Sequence, residues 1–255
     1  MVDSVFETTI TDGVLQASRP DTDWLSTGVD GGRQRADAAY NITVPTGWDD
    51  TDLSEYVDRR TAAAGFEIDG PALLTGVEQR HARRAVLDPV EVLVTAGLSN
   101  PATLPSRDAT ESSTTVEGDS TTPDATDHHG TINIIVGTTR ALPPGALASL
   151  LAGVAEAKTA TLSHRTDITG TTSDAVIVGS DPTGATAQFA GSATTVGQAA
   201  RACVRDGLTA ALDARYPDGE LPRSVADADY GAATTATATV STPREPADVV
   251  DDYRP

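Results

Sequence analysis

Four short stretches carry side chains that could do chemistry. The chain has one lysine, Lys158, against seventeen arginines. At helical spacing Lys158 follows Val154 by four positions and precedes Leu162 by four, so it falls on an apolar face. A lysine there either packs its stem and extends its amine to water, or meets a need for a compact ammonium of adjustable pKa. Arginine at every other cationic position gives weight to the second reading. Asp174 closes the run Gly170-Thr171-Thr172-Ser173-Asp174, directly before the apolar AVIV. A carboxylate at the mouth of a buried strand suits a general base, or simply an acceptor for backbone N–H groups at a strand start. Ser99 and Asn100 follow the strand-like EVLVTAG and offer a nucleophile and an oxyanion donor, or a plain turn. Gly28, Gly31 and Gly32 lie in STGVDGG, where backbone N–H groups can approach a ligand or a surface turn can form.

Other signals are negative. The glycine run matches neither a dinucleotide fingerprint nor a phosphate-binding loop. The four histidines, His81, His128, His129 and His164, show no ligand spacing, and no metal site is expected. Cys203 falls within a helical apolar stripe and reads as core. Glu156 points away from Lys158 on an isolated helix, so the two do not pair directly.

These residues need elements to position them. Glu91–Ala96, Thr131–Val136 and Ala175–Val178 read as strands, and Ala185–Phe189 as a fourth. Helices are expected over Gly145–Ser163, with Leu147, Leu151, Val154 and Leu162 on one face, and over Thr195–Arg215, capped by Ser192 or Thr194. A shorter helix is expected around Asp52–Ala64. The alternation gives an α+β or α/β protein, a layered mixed β-sheet packed with helices. Residues 105–129 and 217–255 bury almost nothing and are expected to be a disordered insert and a largely disordered acidic tail, leaving one domain over 1–216.

The 18 basic and 37 acidic residues give a net charge of −19. That argues against nucleic acid and against anionic membrane as partners. The insert and the tail each carry a net −5, so about half the charge lies outside the expected domain. Acid-rich, lysine-poor, threonine-rich composition suits a protein dissolved in molar salt, where the screening length falls to about 3 Å. One cysteine excludes an intramolecular disulfide framework. The first ten residues lack the pattern of a signal peptide. The apolar run Ala141–Ala155 is shorter than the roughly 20 residues a bilayer needs. The expectation is a cytoplasmic protein of a halophile.

In order along the chain, LSTGVDGG (25–32), ALLTGV (72–77), VTAGLSNP (94–101), GTINIIV (130–136), GALASLLAGVAEAKTATL (145–162), GTTSDAVIV (170–178) and FAGSATTVG (189–197) resemble the adenosylcobinamide amidohydrolases (CbiZ type). Bacterial members usually read GTGTDA where this chain reads Gly170-Thr171-Thr172-Ser173-Asp174-Ala175. The resemblance implies hydrolysis of the amide that joins the aminopropanol arm of adenosylcobinamide to its corrin ring, giving adenosylcobyric acid for corrinoid salvage. No cofactor is implied, because the substrate itself carries the cobalt. The catalytic candidates are Lys158, Asp174, Ser99 and Asn100, with either Ser99 attacking or Asp174 activating water. Gly28, Gly31, Gly32, Thr131, Asn133, Glu156, Thr172 and Ser173 are candidates for holding the substrate. The pair GTINIIVGTTRALPPGAL and GTTSDAVIV also resembles the β-aminopeptidases of αββα fold, which implies two packed sheets and favours Ser99. The alternatives are a corrinoid-binding protein without turnover and an amidohydrolase acting on a small peptide-like substrate.

Stability should follow salt. Thermal melting in dilute buffer is expected well below melting in molar KCl, because acid–acid repulsion grows as screening weakens. An unchanged midpoint would show that the acidic surface is not under strain.

Overall fold

The computed structural model describes residues 4–45, 47, 48, 50–106, 130–228 and 230–243. The expected insert falls almost wholly on 107–129, and the end of the expected tail on 244–255, outside the described residues. The N-terminal third supplies β1 (Glu7–Thr11), β2 (Val14–Ser26), β3 (Gly32–Thr43), helix α1 (Leu53–Ala63) and β4 (Ala72–Thr75). Next come β5 (Arg83–Leu87), β6 (Val90–Ala96), β7 (Pro101–Thr103), β8 (Ile132–Ala141) and helix α2 (Pro144–Ser163). The rest is β9 (Gly170–Thr171), β10 (Ala175–Thr186), helix α3 (Thr195–Arg215) and β11 (Ala232–Ala233). The fold is mixed α+β. One large mixed sheet runs β4-β3-β2-β10-β8-β6-β5, with β1 paired to β2, and a small sheet runs β11-β7-β9.

The large sheet bends at β2. Pairing of β2 with β3 shifts register between Ser18 and Thr22, and Asp21 there takes a positive φ of 57°. The first half of β2 pairs with β1 and β3, and the second half with β10 and β3. The bend carries β3 and β4 across the inner face of β6, β8 and β10. Trp24, Phe6, Leu73, Leu93, Ile135 and Ile177 pack between the two halves. Outside them, α1 covers Val14, Tyr40 and Ile42 with Tyr56. On the other outer face α2 and α3 cover Val92, Ile134, Val136 and Val178. The layers therefore run helix, sheet, sheet, helix, with both sheet layers drawn from one continuous sheet.

Hydrogen bonds cross the middle. Asn133 Nδ2 donates to Asn41 Oδ1 at 2.8 Å and to the Leu74 carbonyl at 2.9 Å. Asn41 Nδ2 donates to Thr95 Oγ1 at 2.9 Å. All three polar side chains are buried. Asn133 Oδ1 has no hydrogen-bond partner, but the three donated bonds tie the two halves together, because breaking one would leave a further buried polar group unpaired.

Helices form where the apolar spacing places them. Asp52 caps α1 by accepting from the Glu55 N–H, and Thr194 caps α3 by accepting from the Gly197 N–H. The α3 stripe of Val196, Ala200, Cys203, Val204, Leu208, Ala211 and Leu212 is buried throughout. On α2 the buried line runs through Leu147, Leu150, Val154, Ala157 and Thr161, so Lys158 stands at its flank. The two strands expected at 175–178 and 185–189 are one strand, Ala175–Thr186, which shifts register against β8 between Ser180 and Ala185. It ends short of Phe189, which is 75% exposed. The described part of the tail is mostly irregular, but Ala232 and Ala233 pair with Ala102 and Thr103 of β7. Among the described residues no helix is long and apolar enough to cross a membrane.

Asn133→Ala strips two donors from buried acceptors. It should lower the unfolding free energy by about 2–4 kcal/mol in denaturant titrations at fixed salt. A change under about 0.5 kcal/mol would show that the two sheet halves do not depend on that amide.

Candidate active site

Parallel neighbours such as β8 and β10 need a crossover, and α2 provides it. The helix runs back along the sheet, so its last turns arrive where β8 and β10 begin. There Thr159 Oγ1 donates to the Thr169 carbonyl at 3.0 Å, and Lys158 Nζ donates to Asp174 Oδ2. The side chains of this ion pair are only 12% and 14% exposed.

Asp174 is tied from every side. Its Oδ1 accepts from the Ile132 N–H at 3.1 Å and from Thr171 Oγ1 at 2.5 Å. Its Oδ2 accepts from the Thr171 N–H at 3.0 Å as well as from Lys158. A carboxylate offers about four lone-pair sites, and here each has a donor. A base needs a free lone pair to take a proton. As found, Asp174 holds the ammonium through Oδ2.

A band of neutral polar groups adjoins the pair. Thr131 Oγ1 lies 2.9 Å from Ser173 Oγ, and Ser173 Oγ donates to the Gly130 carbonyl at 3.3 Å. Asn100 Nδ2 donates to Thr172 Oγ1 at 2.7 Å and to Ser173 Oγ at 3.4 Å. The Thr172 N–H donates to the Asn100 carbonyl at 3.1 Å. Thr172 and Ser173 are exposed, Ser99 is half-buried, and Thr131 and Asn100 are buried. Asn100 Oδ1 is buried without a hydrogen-bond partner. A Cβ on Gly130 would stand 2.5 Å from Ser99 Oγ and 2.6 Å from Asn100 Oδ1, so only glycine lets β8 begin this close to the end of β6.

The structure thus gathers Lys158, Asp174, Ser99, Asn100, Thr131, Thr172 and Ser173 at one end of strands β6, β8 and β10. It places the other candidates elsewhere. Asn133 is in the bonds between the sheet halves. Glu156 lies on the opposite side of α2, ion-paired to Arg201 of α3 at 2.9 Å. Gly28, Gly31 and Gly32 form the β2–β3 turn. A Cβ on Gly28 would meet the Ala72 carbonyl oxygen at 2.3 Å, and one on Gly31 the Ser26 carbonyl oxygen at 2.7 Å, while Gly32 has a φ of 122°. That turn reaches the site's border through Thr27, whose Oγ1 accepts from the Val176 N–H at 2.9 Å. Burial pushes the Cys203 thiol up to about 11, as suits a core residue. Among the described residues no three His, Cys, Asp or Glu side chains gather as metal ligands would.

Thr171 and the glycines at 130 and 170 lie in the quoted segments but are not among the candidate site residues. Thr171 stands in the GTTSD run and supplies two of the four donors to Asp174. A Cβ on Gly170 would lie 2.6 Å from Asp174 Oδ2 and 2.7 Å from Lys158 Nζ. Both glycines open segments of the family resemblance, but local pattern gives neither a role, because Ser99 and Lys158, which share their side-chain space, come from other segments.

Residues 2–220 match the family described as adenosylcobinamide amidohydrolase (CbiZ). The chain is similar to the adenosylcobinamide amidohydrolase of Halobacterium salinarum, 51% identical over 94% of this chain and 100% of that protein. It is also similar to the adenosylcobinamide amidohydrolase of Methanosarcina mazei, 29% identical over 76% of this chain and 92% of that protein. The first relative agrees with the halophilic composition. No solved structure matches the chain.

Gly170→Ala should force the ion pair apart. The expected cost is about 1–3 kcal/mol in denaturant titration. Gly145→Ala, where a Cβ meets open space, should cost nothing measurable. Equal stability of the two variants would show that the ammonium and the carboxylate have room to spare.

Proposed function

The chain belongs to the adenosylcobinamide amidohydrolase family, and we propose that it cleaves the amide between the aminopropanol arm of adenosylcobinamide and its corrin ring, with Lys158 as the electrostatic centre. The observation that carries this reading is the ion pair of Lys158 and Asp174 beside an open band of hydroxyl and amide groups. An amide carbonyl seated on that band presents its oxygen to the ammonium. As the carbon becomes tetrahedral, the oxygen gains charge that Lys158 offsets at contact distance in a largely water-excluded setting.

Ser99 supplies the attacking hydroxyl. Saturation of Asp174 by four donors favours this route over water activated by that carboxylate. The Ser99 oxygen bonds to the carbonyl carbon while its proton passes to the amine nitrogen, and the C–N bond breaks to release 1-amino-2-propanol. Water then cleaves the ester, returning the proton to Ser99 and leaving adenosylcobyric acid. Asn100 holds Thr172 and Ser173 in place with both protons of its Nδ2, and its unpartnered Oδ1 is left to accept. Lys158 lies on α2, Ser99 between β6 and β7, and Asp174 just before β10, so the fold must be intact for any of it to work.

Incubation with adenosylcobinamide and chromatography for an acidic corrinoid tests the activity, and binding without turnover would point to a corrinoid carrier. Lys158→Met keeps much of the apolar packing and should lose at least about 100-fold in rate. Lys158→Arg keeps the charge but widens the head group beside Gly170, and should lose nearly as much. Ser99→Ala decides the attacking group: a comparable loss supports the acyl intermediate, and a loss under about tenfold assigns attack to water. Full activity in folded Lys158→Met would remove the site from this end of the strands.

A further inference from the structure

A second opening lies between the latter half of α2 and α3 and takes no part in the chemistry above. It encloses about 550 Å³, within the range of roughly 300–1,000 Å³ usual for small-molecule sites. Its basic residues are Arg165, Arg201, Arg205 and His164, neutral polar side chains such as Gln198 and Thr161 stand among them, and Ala157 and Ala202 lie on its apolar side. No carboxylate is among its lining residues. In a chain of net charge −19, a wall of one sign and of the opposite sign to the whole is a local selection for an anion.

Each arginine has an acidic neighbour, but outside the opening. Arg165 pairs with Asp213 at 2.7 Å, Arg201 with Glu156 at 2.9 Å and Arg205 with Asp206 at 2.7 Å. The three carboxylates are 59–65% exposed, and pairs of that exposure contribute about 0–1 kcal/mol. They hold the guanidinium forks in position at little cost to release. Arg201 shows the slack directly: its Nη1 is buried and ion-paired to Glu156, yet has no aligned hydrogen bond. The His164 ring is held by a 2.7 Å contact from Nδ1 to the Ala160 carbonyl.

We infer that this opening binds a phosphate monoester with a compact apolar body. The guanidinium forks match phosphate oxygens two at a time, and the alanines leave room for the apolar part. Molar salt screens attraction beyond about 3 Å, so a site that works there needs contact-distance, bidentate donors, which arginine gives and lysine does not. Ala157 and Lys158 are adjacent but about 100° apart around α2, so the two sites stand on different sides of one helix. The inference is independent of the hydrolytic reading.

Phenyl phosphate is the probe, titrated by calorimetry into the full chain in molar KCl. One saturable site per chain is expected, with inorganic phosphate binding more weakly and phenol not at all. Arg201→Gln combined with Arg205→Gln should weaken phenyl phosphate at least about tenfold, or 1.4 kcal/mol, with thermal melting retained and adenosylcobinamide hydrolysis unchanged. Arg165→Gln alone gives a second reading if the double variant does not fold. Absence of saturable binding to the parent chain would overturn the proposal, and so would undiminished affinity in the folded variants. A dimer in sedimentation that Arg201→Gln dissociates would assign the opening to a subunit contact and overturn it as well.

Discussion

The Asp174 carboxylate is where the fold and the candidate site become one problem. It stands one residue before β10 and takes its four donors from the start of β8, from β9 and from α2. Without the ammonium of Lys158, a nearly buried carboxylate would keep three donors but lose its countercharge. Without the carboxylate, a nearly buried ammonium would have no partner at all, the more expensive outcome of the two. The crossover helix therefore reaches the starts of β8 and β10 with its rotation fixed. The small sheet is held at the same place, since the Thr171 hydroxyl and N–H belong to β9, which pairs with β7.

How far the sequence reveals this fold depends on what each element buries. The α2 and α3 helices, β6, β8 and the first half of β10 are legible because their apolar residues cover a shared core of Val, Ile and Leu. The β1–β3 strands are not. Leu15 and Trp24 face inward, but other inner positions are small, as at Ala17 and Ala39, and many outer positions are Thr, Asp and Arg in the surface of an acidic protein. Alternation of Ala with Thr is a weak hydrophobic signal, although Asp12-Gly13, with positive φ at both residues, is the two-residue turn that joins β1 to β2. The bend in β2 is less visible still, because a register shift depends on which strands lie on either side.

The candidate site divides along a similar line. Lys158 and Asp174 attract attention by type and place: a lone lysine on an apolar face and a carboxylate before a buried strand. Nothing in either local pattern says that the two touch. That follows from β8 and β10 being parallel neighbours, which requires the helix between them to return along the sheet. The donors of Asn133 are taken up elsewhere for a physical reason. An asparagine within an apolar strand looks like a donor kept for a ligand, yet a strand has two faces, and this one turns inward, where Asn41 and Leu74 of the opposite layer meet it. Glu156 likewise turns to α3 and Arg201. Neither partner could be found without knowing which layers meet.

Space at the ion pair explains why the chain keeps one lysine among its arginines. A protein in molar salt gains from arginine at its surface, where a fork holds a carboxylate at contact distance. At position 158 the surroundings are closed. The ammonium and the Asp174 oxygen already fill the volume that a side chain on residue 170 would occupy, and Thr171 donates to both oxygens of the same carboxylate. A planar guanidinium needs room along both edges of its partner, and those edges are taken. A compact ammonium needs a single open direction and has two further protons to give. Once Asp174 has accepted one, the others remain for whatever oxygen enters the band of hydroxyls beside it. Glycine at 170, the filled carboxylate and the lone lysine are three consequences of one tight geometry.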